Sequence, residues 1–120
     1  MLVKTYAAAL QSIQARTVTI EVSCTRGSYF QLVGLPDTAI KESQDRIISA
    51  IESSGYKFPG KRIVINMSPA DLRKEGAAYD LPLAIGLLAA DGQIPADLLD
   101  RYLIMGELSL DGSVRAIRGA

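Results

Sequence analysis

The sequence predicts an α+β domain, a mixed sheet with two main helices packed on it, in the order β-β-β-α-β-α-β-β. Three observations carry this. Residues 17–25 alternate apolar and polar, as a half-buried strand does. Residues 37–53 place apolar side chains at helical spacing, and residues 80–90 are apolar nearly all round, as in a helix inside the fold.

In chain order, residues 2–10 read as an opening strand, although the alanines suit a helix equally. Val18, Ile20, Val22 and Cys24 then face one way, against Thr19, Glu21 and Ser23. Arg26-Gly27-Ser28 supplies a turn into a third strand, Tyr29 to Val33, so that the three strands suggest an antiparallel meander. Asp37 is placed to cap the first helix, whose buried stripe is Ile40, Ile47, Ile48 and Ile51. Gly55 and Pro59 end it. The run RIVINM (62–67) is almost continuously apolar, which suggests a strand buried on both faces. A polar loop from Ser68 to Gly76 leads to the second helix, where Pro82 fits the first turn, Asp80 is expected to cap and Ile85 lies mid-helix. A short helical turn is expected near 96–100. Residues 103–110 and 113–118 suggest a hairpin, and a three-residue loop with left-handed Gly112 pairs Leu108 with Val114 and Glu107 with Arg115.

Composition excludes several functions. The 120 residues fit one domain, 1–120, and 48% hydrophobic content provides a core without metal or disulfides. Thirteen basic residues balance thirteen acidic ones, so the overall field that dedicated nucleic-acid modules present is lacking. The best local cationic group is Lys57, Lys61 and Arg62. One cysteine forms no internal disulfide, and Cys24 reads as a small buried hydrophobe in a cytoplasmic protein. The absence of histidine excludes His-based triads and zinc sites with histidine ligands, and no metal site is expected. No segment is long enough to span a membrane, and none reads as a signal peptide.

Three segments together are specific: GLPDTAIKESQDRI (34–47), INMSPADLRKEGAAYDLPLAIGLLAA (65–90) and GELSLDGSVRAIRG (106–119). In this order and spacing they closely resemble the amino-terminal region of the ComM/YifB family of magnesium-chelatase-like AAA+ ATPases, through essentially the whole chain. The resemblance implies a Lon-protease-like fold, in a superfamily that includes a ribosomal protein domain. It also implies an AAA+ module downstream that binds ATP and magnesium, a homo-hexamer, and branch-migration activity on DNA for some members. The cut at Gly119-Ala120, in mid-pattern, fits a piece of such a protein.

Lon-type proteases use a serine and a lysine whose pKa burial lowers. The resemblance sets Ala78 at the nucleophile position and the lysine position just beyond Ala120. Alanine has no oxygen with which to form an acyl-enzyme. Ser68 with Lys74 is the only substitute pair in that loop, and a lysine so placed is usually solvated. Asp71, Arg73, Lys74, Glu75 and Asp80 form a polar site or interface, or merely loop hydrogen bonds and a cap. No GxxxxGK[ST] run occurs, and Glu107 and Asp111 would repel phosphate from the Gly106–Gly112 loop. The reading that follows is a non-catalytic accessory domain, with Lys57, Lys61, Arg62, Arg73 and Lys74 as possible interface or DNA contacts. Its alternatives are a divergent Lon-type serine peptidase and a weak DNA-binding domain within a hexameric ring.

Overall fold

A computed structural model describes residues 1–11, 14–69 and 76–115. The elements are β1 (Leu2–Gln11), β2 (Gln14–Thr25), β3 (Tyr29–Val33), α1 (Asp37–Ser53), β4 (Arg62–Ser68), α2 (Asp80–Ala90), β5 (Glu107–Leu108) and β6 (Val114–Arg115). Short 3-10 turns cover Gly76–Tyr79 and Leu99–Arg101.

The main sheet has the order β1-β2-β4-β3. The meander expected of the first three strands is therefore not formed. β1 and β2 are antiparallel neighbours, but β4 inserts between β2 and β3 and runs parallel to β3. The reason is apolar content: Ile63, Ile65 and Met67 are at most 1% exposed, and the centre of the sheet is where such a strand buries most. The three-residue Arg26–Ser28 connection consequently spans β4 rather than closing a tight hairpin.

Register puts one set of side chains under the helices. Val3, Val22, Ile65 and Leu32 form one buried row across the four strands, and Thr5, Ile20 and Met67 another. The opposite rows are Leu2-Ser23-Val64-Gln31 and Lys4-Glu21-Asn66-Val33, all half-exposed or exposed. β4 is thus buried on one face only, contrary to the two-faced burial its composition suggests, because both helices share one side of the sheet. An antiparallel-rich sheet tolerates water on its other face.

α2 lies against β1 and β2 with Leu83 and Leu87 fully buried. Gly86 permits the close approach, since a Cβ there would meet Val22 Cγ2 at 2.8 Å. Thr5 Oγ1 donates to the Pro82 carbonyl at 3.2 Å, which satisfies a hydroxyl in the core. Leu81 and Ile85 are only half-buried, so the helix is not interior all round. On α1, the buried residues are Ser43, Ile47, Ala50 and Ile51, while Ile40 and Ile48 sit at the margin. Neither expected cap exists: the N-cap positions are Pro36 and Tyr79, with no side-chain cap bond at either. Asp37 and Asp80 are the first helical residues instead, and Asp37 faces the positive end of its helix dipole.

The hairpin pairs Glu107 with Arg115 and Leu108 with Val114, and Gly112 takes φ +91° in its loop. Its strands are shorter than the sequence suggests, and positions 116–118 lie outside the described residues. Leu103 instead makes a single parallel bridge to Tyr6 on β1. No helix among the described residues is long and apolar enough to cross a membrane.

Candidate functional site: a buried carboxylate and a basic cleft

Among the described residues, two polar clusters lie outside the core's apolar rows. The first centres on Asp80, which is fully buried. The last residues of the 3-10 turn aim its carboxylate inward, between α1 and the start of β5. Arg46 Nε donates to Oδ2 at 2.6 Å and Arg46 Nη2 to Oδ1 at 3.1 Å, a two-pronged pair. Ser43 Oγ donates to Oδ1 at 3.0 Å, and the Leu108 amide to Oδ2 at 3.3 Å. The hydrogen bond from Arg46 to Asp80 raises the guanidinium pKa, with burial opposing it. Each oxygen of the Asp80 side chain therefore accepts two hydrogen bonds from the protein. Beside it, Ala78 is half-buried and its carbonyl accepts the Gly106 amide at 3.0 Å, while the Leu81 amide donates to the Gly106 carbonyl at 3.0 Å. These bonds clamp the start of α2 to the approach of β5.

The second cluster is basic and sits where β4 begins. Lys61 and Arg62 stand there, Lys57 lies in the preceding segment, and all three are exposed. Register adds a residue that sequence reasoning missed. Arg62 lies opposite both Thr25 and Tyr29, so the Arg26–Ser28 turn is drawn over it. Arg26 and Lys61 then line a cleft of about 550 Å³ with Cys24, Thr25, Gly27 and Gly60. The meander reading hid this, because it kept the turn away from β4.

The cations are not equivalent. Lys61 Nζ lies 2.6 Å from Asp91 Oδ1. That hydrogen bond and the attached charge raise the Lys61 pKa. Burial works against ionisation of Asp91, but hydrogen bonds from Lys61 and Gln93 hold its carboxyl below the ordinary value. Gln93 also clasps the Lys57 backbone, donating to its carbonyl at 2.6 Å and accepting its amide at 3.1 Å. Arg62 stacks over the Tyr29 ring, 5.7 Å from the centroid. Cys24 is buried and its thiol pKa is raised, first by burial and then by Asp91, which leaves it a poor nucleophile. Arg73 and Lys74, with Asp71 and Glu75, lie outside the described residues. Among the described residues no group of His, Cys, Asp and Glu is arranged to hold a metal ion.

The family model described as subunit ChlI of Mg-chelatase matches residues 20–120, which include both clusters. The chain belongs to the magnesium-chelatase ChlI family. Within it, the chain is 50% identical to the YifB protein of Escherichia coli over 109 residues, 90% of this chain and 22% of that one. It is 47% identical to the competence protein ComM of Haemophilus influenzae over 115 residues, 95% of this chain and 23% of that one. A protein of Mycobacterium tuberculosis is 40% identical over 117 residues, again 23% of its length. The chain thus spans less than a quarter of the curated relatives it matches.

Proposed function

We propose that this chain is a non-catalytic accessory domain of a ComM/YifB-type AAA+ ATPase, with a Lon-protease-like fold. The observation that carries the reading is the state of Asp80 beside Ala78. The position of the Lon nucleophile holds a methyl group, and the buried carboxylate of Asp80 next to it has its oxygens committed to Arg46, Ser43 and Leu108. A general base needs a free lone pair aimed at the proton it takes. Fold alone decides nothing here, since one fold hosts many activities.

Nucleotide does not fit the glycine-containing hairpin either. The Ser113 amide donates to Asp111 Oδ1 at 2.9 Å, the Gly112 amide to the Ser109 carbonyl at 3.0 Å, and the Ser109 amide to the Ser113 carbonyl at 2.8 Å. Those N–H groups are used internally, and the Ser113 bonds hold the Asp111 pKa down, so a carboxylate stands where phosphate would sit. ATP and magnesium belong, on this reading, to an AAA+ module downstream, and the whole protein is a cytoplasmic hexamer that remodels branched DNA. The test compares a full-length protein of this type with and without residues 1–120. ATP hydrolysis persists in the shortened protein while coupling to DNA is impaired; loss of all ATP turnover from a folded AAA+ module would place part of the active site here.

A second reading, direct DNA contact, is favoured by one observation: Arg26 joins Lys61 in lining a cleft. Asp91 offsets much of that charge. Non-specific affinities lie near 10⁻⁴–10⁻⁶ M for proteins that present several coordinated cations. The isolated chain should therefore bind DNA more weakly than about 10 µM at physiological salt, and multiplication around a ring would be needed for use. Fluorescence anisotropy at two salt concentrations checks this, and sub-micromolar binding with a steep salt slope would overturn it.

A further inference from the structure

The main sheet ends at β3, which pairs with β4 and, among the described residues, with no other strand. Edge strands are normally protected by lysines, prolines, bulges or a covering element. The five residues of β3, Tyr-Phe-Gln-Leu-Val, contain no charge and no proline. Tyr29 is 49% and Val33 44% exposed, and Gln31 between them is exposed as well. β3 is therefore a short, uncharged, β-prone strand whose outer side pairs with no strand among the described residues.

The order of its side chains is self-complementary. Antiparallel pairing of two copies about Gln31 sets Tyr29 opposite Val33 of the other copy, and Phe30 opposite Leu32. The first is an aromatic–β-branched pair, of a kind that favours sheet pairing, and the second sets an aromatic ring against an aliphatic side chain. At the centre, Gln31 meets its own counterpart, and two carboxamides satisfy each other as donor and acceptor. No like charges are opposed anywhere along the five residues. The pleat matches too: Tyr29, Gln31 and Val33 lie on the open face, while Phe30 and Leu32 point to the core side, so each sheet continues into its neighbour with faces aligned.

We propose that the β3 edge is an interaction surface for a second copy of this chain, giving a continuous eight-stranded sheet across a two-fold axis at Gln31. The contact is isologous, since the same patch serves both partners. The inference is independent of the proposed function, because it rests only on the order and exposure of β3.

Site-directed cross-linking tests it. In an antiparallel pair, directly opposed Cα atoms are about 4.5–5.5 Å apart, within disulfide reach. Gln31→Cys is therefore expected to form a covalent dimer under mild oxidation at least tenfold faster than Tyr29→Cys, whose two copies lie roughly 14 Å apart along the paired strands. Cys24 does not compete, being 4% exposed. Sedimentation of the unmodified chain between 10 µM and 1 mM is expected to show a growing dimer. Gln31→Lys, which opposes two charges, abolishes that dimer without lowering the melting temperature, whereas Leu2→Lys at the opposite edge leaves it. A chain that stays monomeric at 1 mM, equal cross-linking at positions 29 and 31, or a dimer indifferent to Gln31→Lys would each overturn the proposal.

Discussion

Replacing Asp80 with alanine removes the acceptor of four hydrogen bonds at once. Two of the abandoned donors, the Ser43 hydroxyl and the Leu108 amide, lie where water does not reach. The third group, the Arg46 guanidinium, keeps 22% of its side-chain surface exposed. Breaking a buried ion pair by deleting one partner costs about 3–5 kcal/mol. Partial rehydration of Arg46 lowers that figure and the stranded amide raises it, so about 3 kcal/mol is the expected loss. Against a total stability of roughly 5–15 kcal/mol this is large, and for a domain of this size it lowers the melting temperature by about 10–15 °C. Urea melts of Asp80→Ala, Arg46→Met and the double variant measure it. The two substitutions should be coupled by more than about 1 kcal/mol, with Arg46→Met mitigating the loss. A single-variant loss below about 1 kcal/mol, or strict additivity, would refute the claim that this network ties α1, α2 and β5 together.

Burial within α2 makes a second expectation. Leu83→Asp, at a fully buried position, should abolish cooperative folding, while Ile85→Asp, two residues on and half-exposed, should fold with a loss of about 1–2 kcal/mol; circular dichroism melts separate them. The Lys61–Asp91 pair predicts a pH window. Asp91 has a depressed pKa in the fold, so its contribution is present above its ordinary value near 3.8 and is lost as pH falls through the folded value. Lys61 has a raised one, so its contribution is present below 10.5 and is lost at higher pH. Lys61→Met should therefore destabilise the chain between about pH 4 and 10, with an effect that shrinks as pH falls below that window, as read from melting temperature against pH.

Local pattern made much of the fold legible. The alternation of Val18, Ile20, Val22 and Cys24 located the core face of β2, and the loop geometry at Gly112 located the pairing of Leu108 with Val114. What periodicity does not encode is which strand neighbours which. β4 and β3 pair at a distance of some thirty residues, and nothing in either segment states that RIVINM belongs between β2 and β3. Missing that placement hid Arg26, because the turn reaches the basic cluster only when β4 is central. The role of Asp80 was hidden for a related reason. At the front of an apolar helix an aspartate suits capping, and its true partners lie 28 to 37 residues away. Ile85 shows the opposite error, since an all-apolar helix invites burial everywhere, yet the sheet and α1 cover only part of its circumference. Of the predicted cationic residues, Lys57, Lys61 and Arg62 are exposed, and Lys61 is largely committed to Asp91.

The central claim, that the domain performs no bond-breaking chemistry of its own, is tested most directly by incubating the purified 120-residue chain with fluorescently labelled casein and with labelled ATP. On the proposed reading, which sets Ala78 at the nucleophile position, and with Asp80 held by Arg46, neither substrate should turn over above the buffer rate. Casein cleavage that survives repurification and disappears in Ser68→Ala would contradict the account.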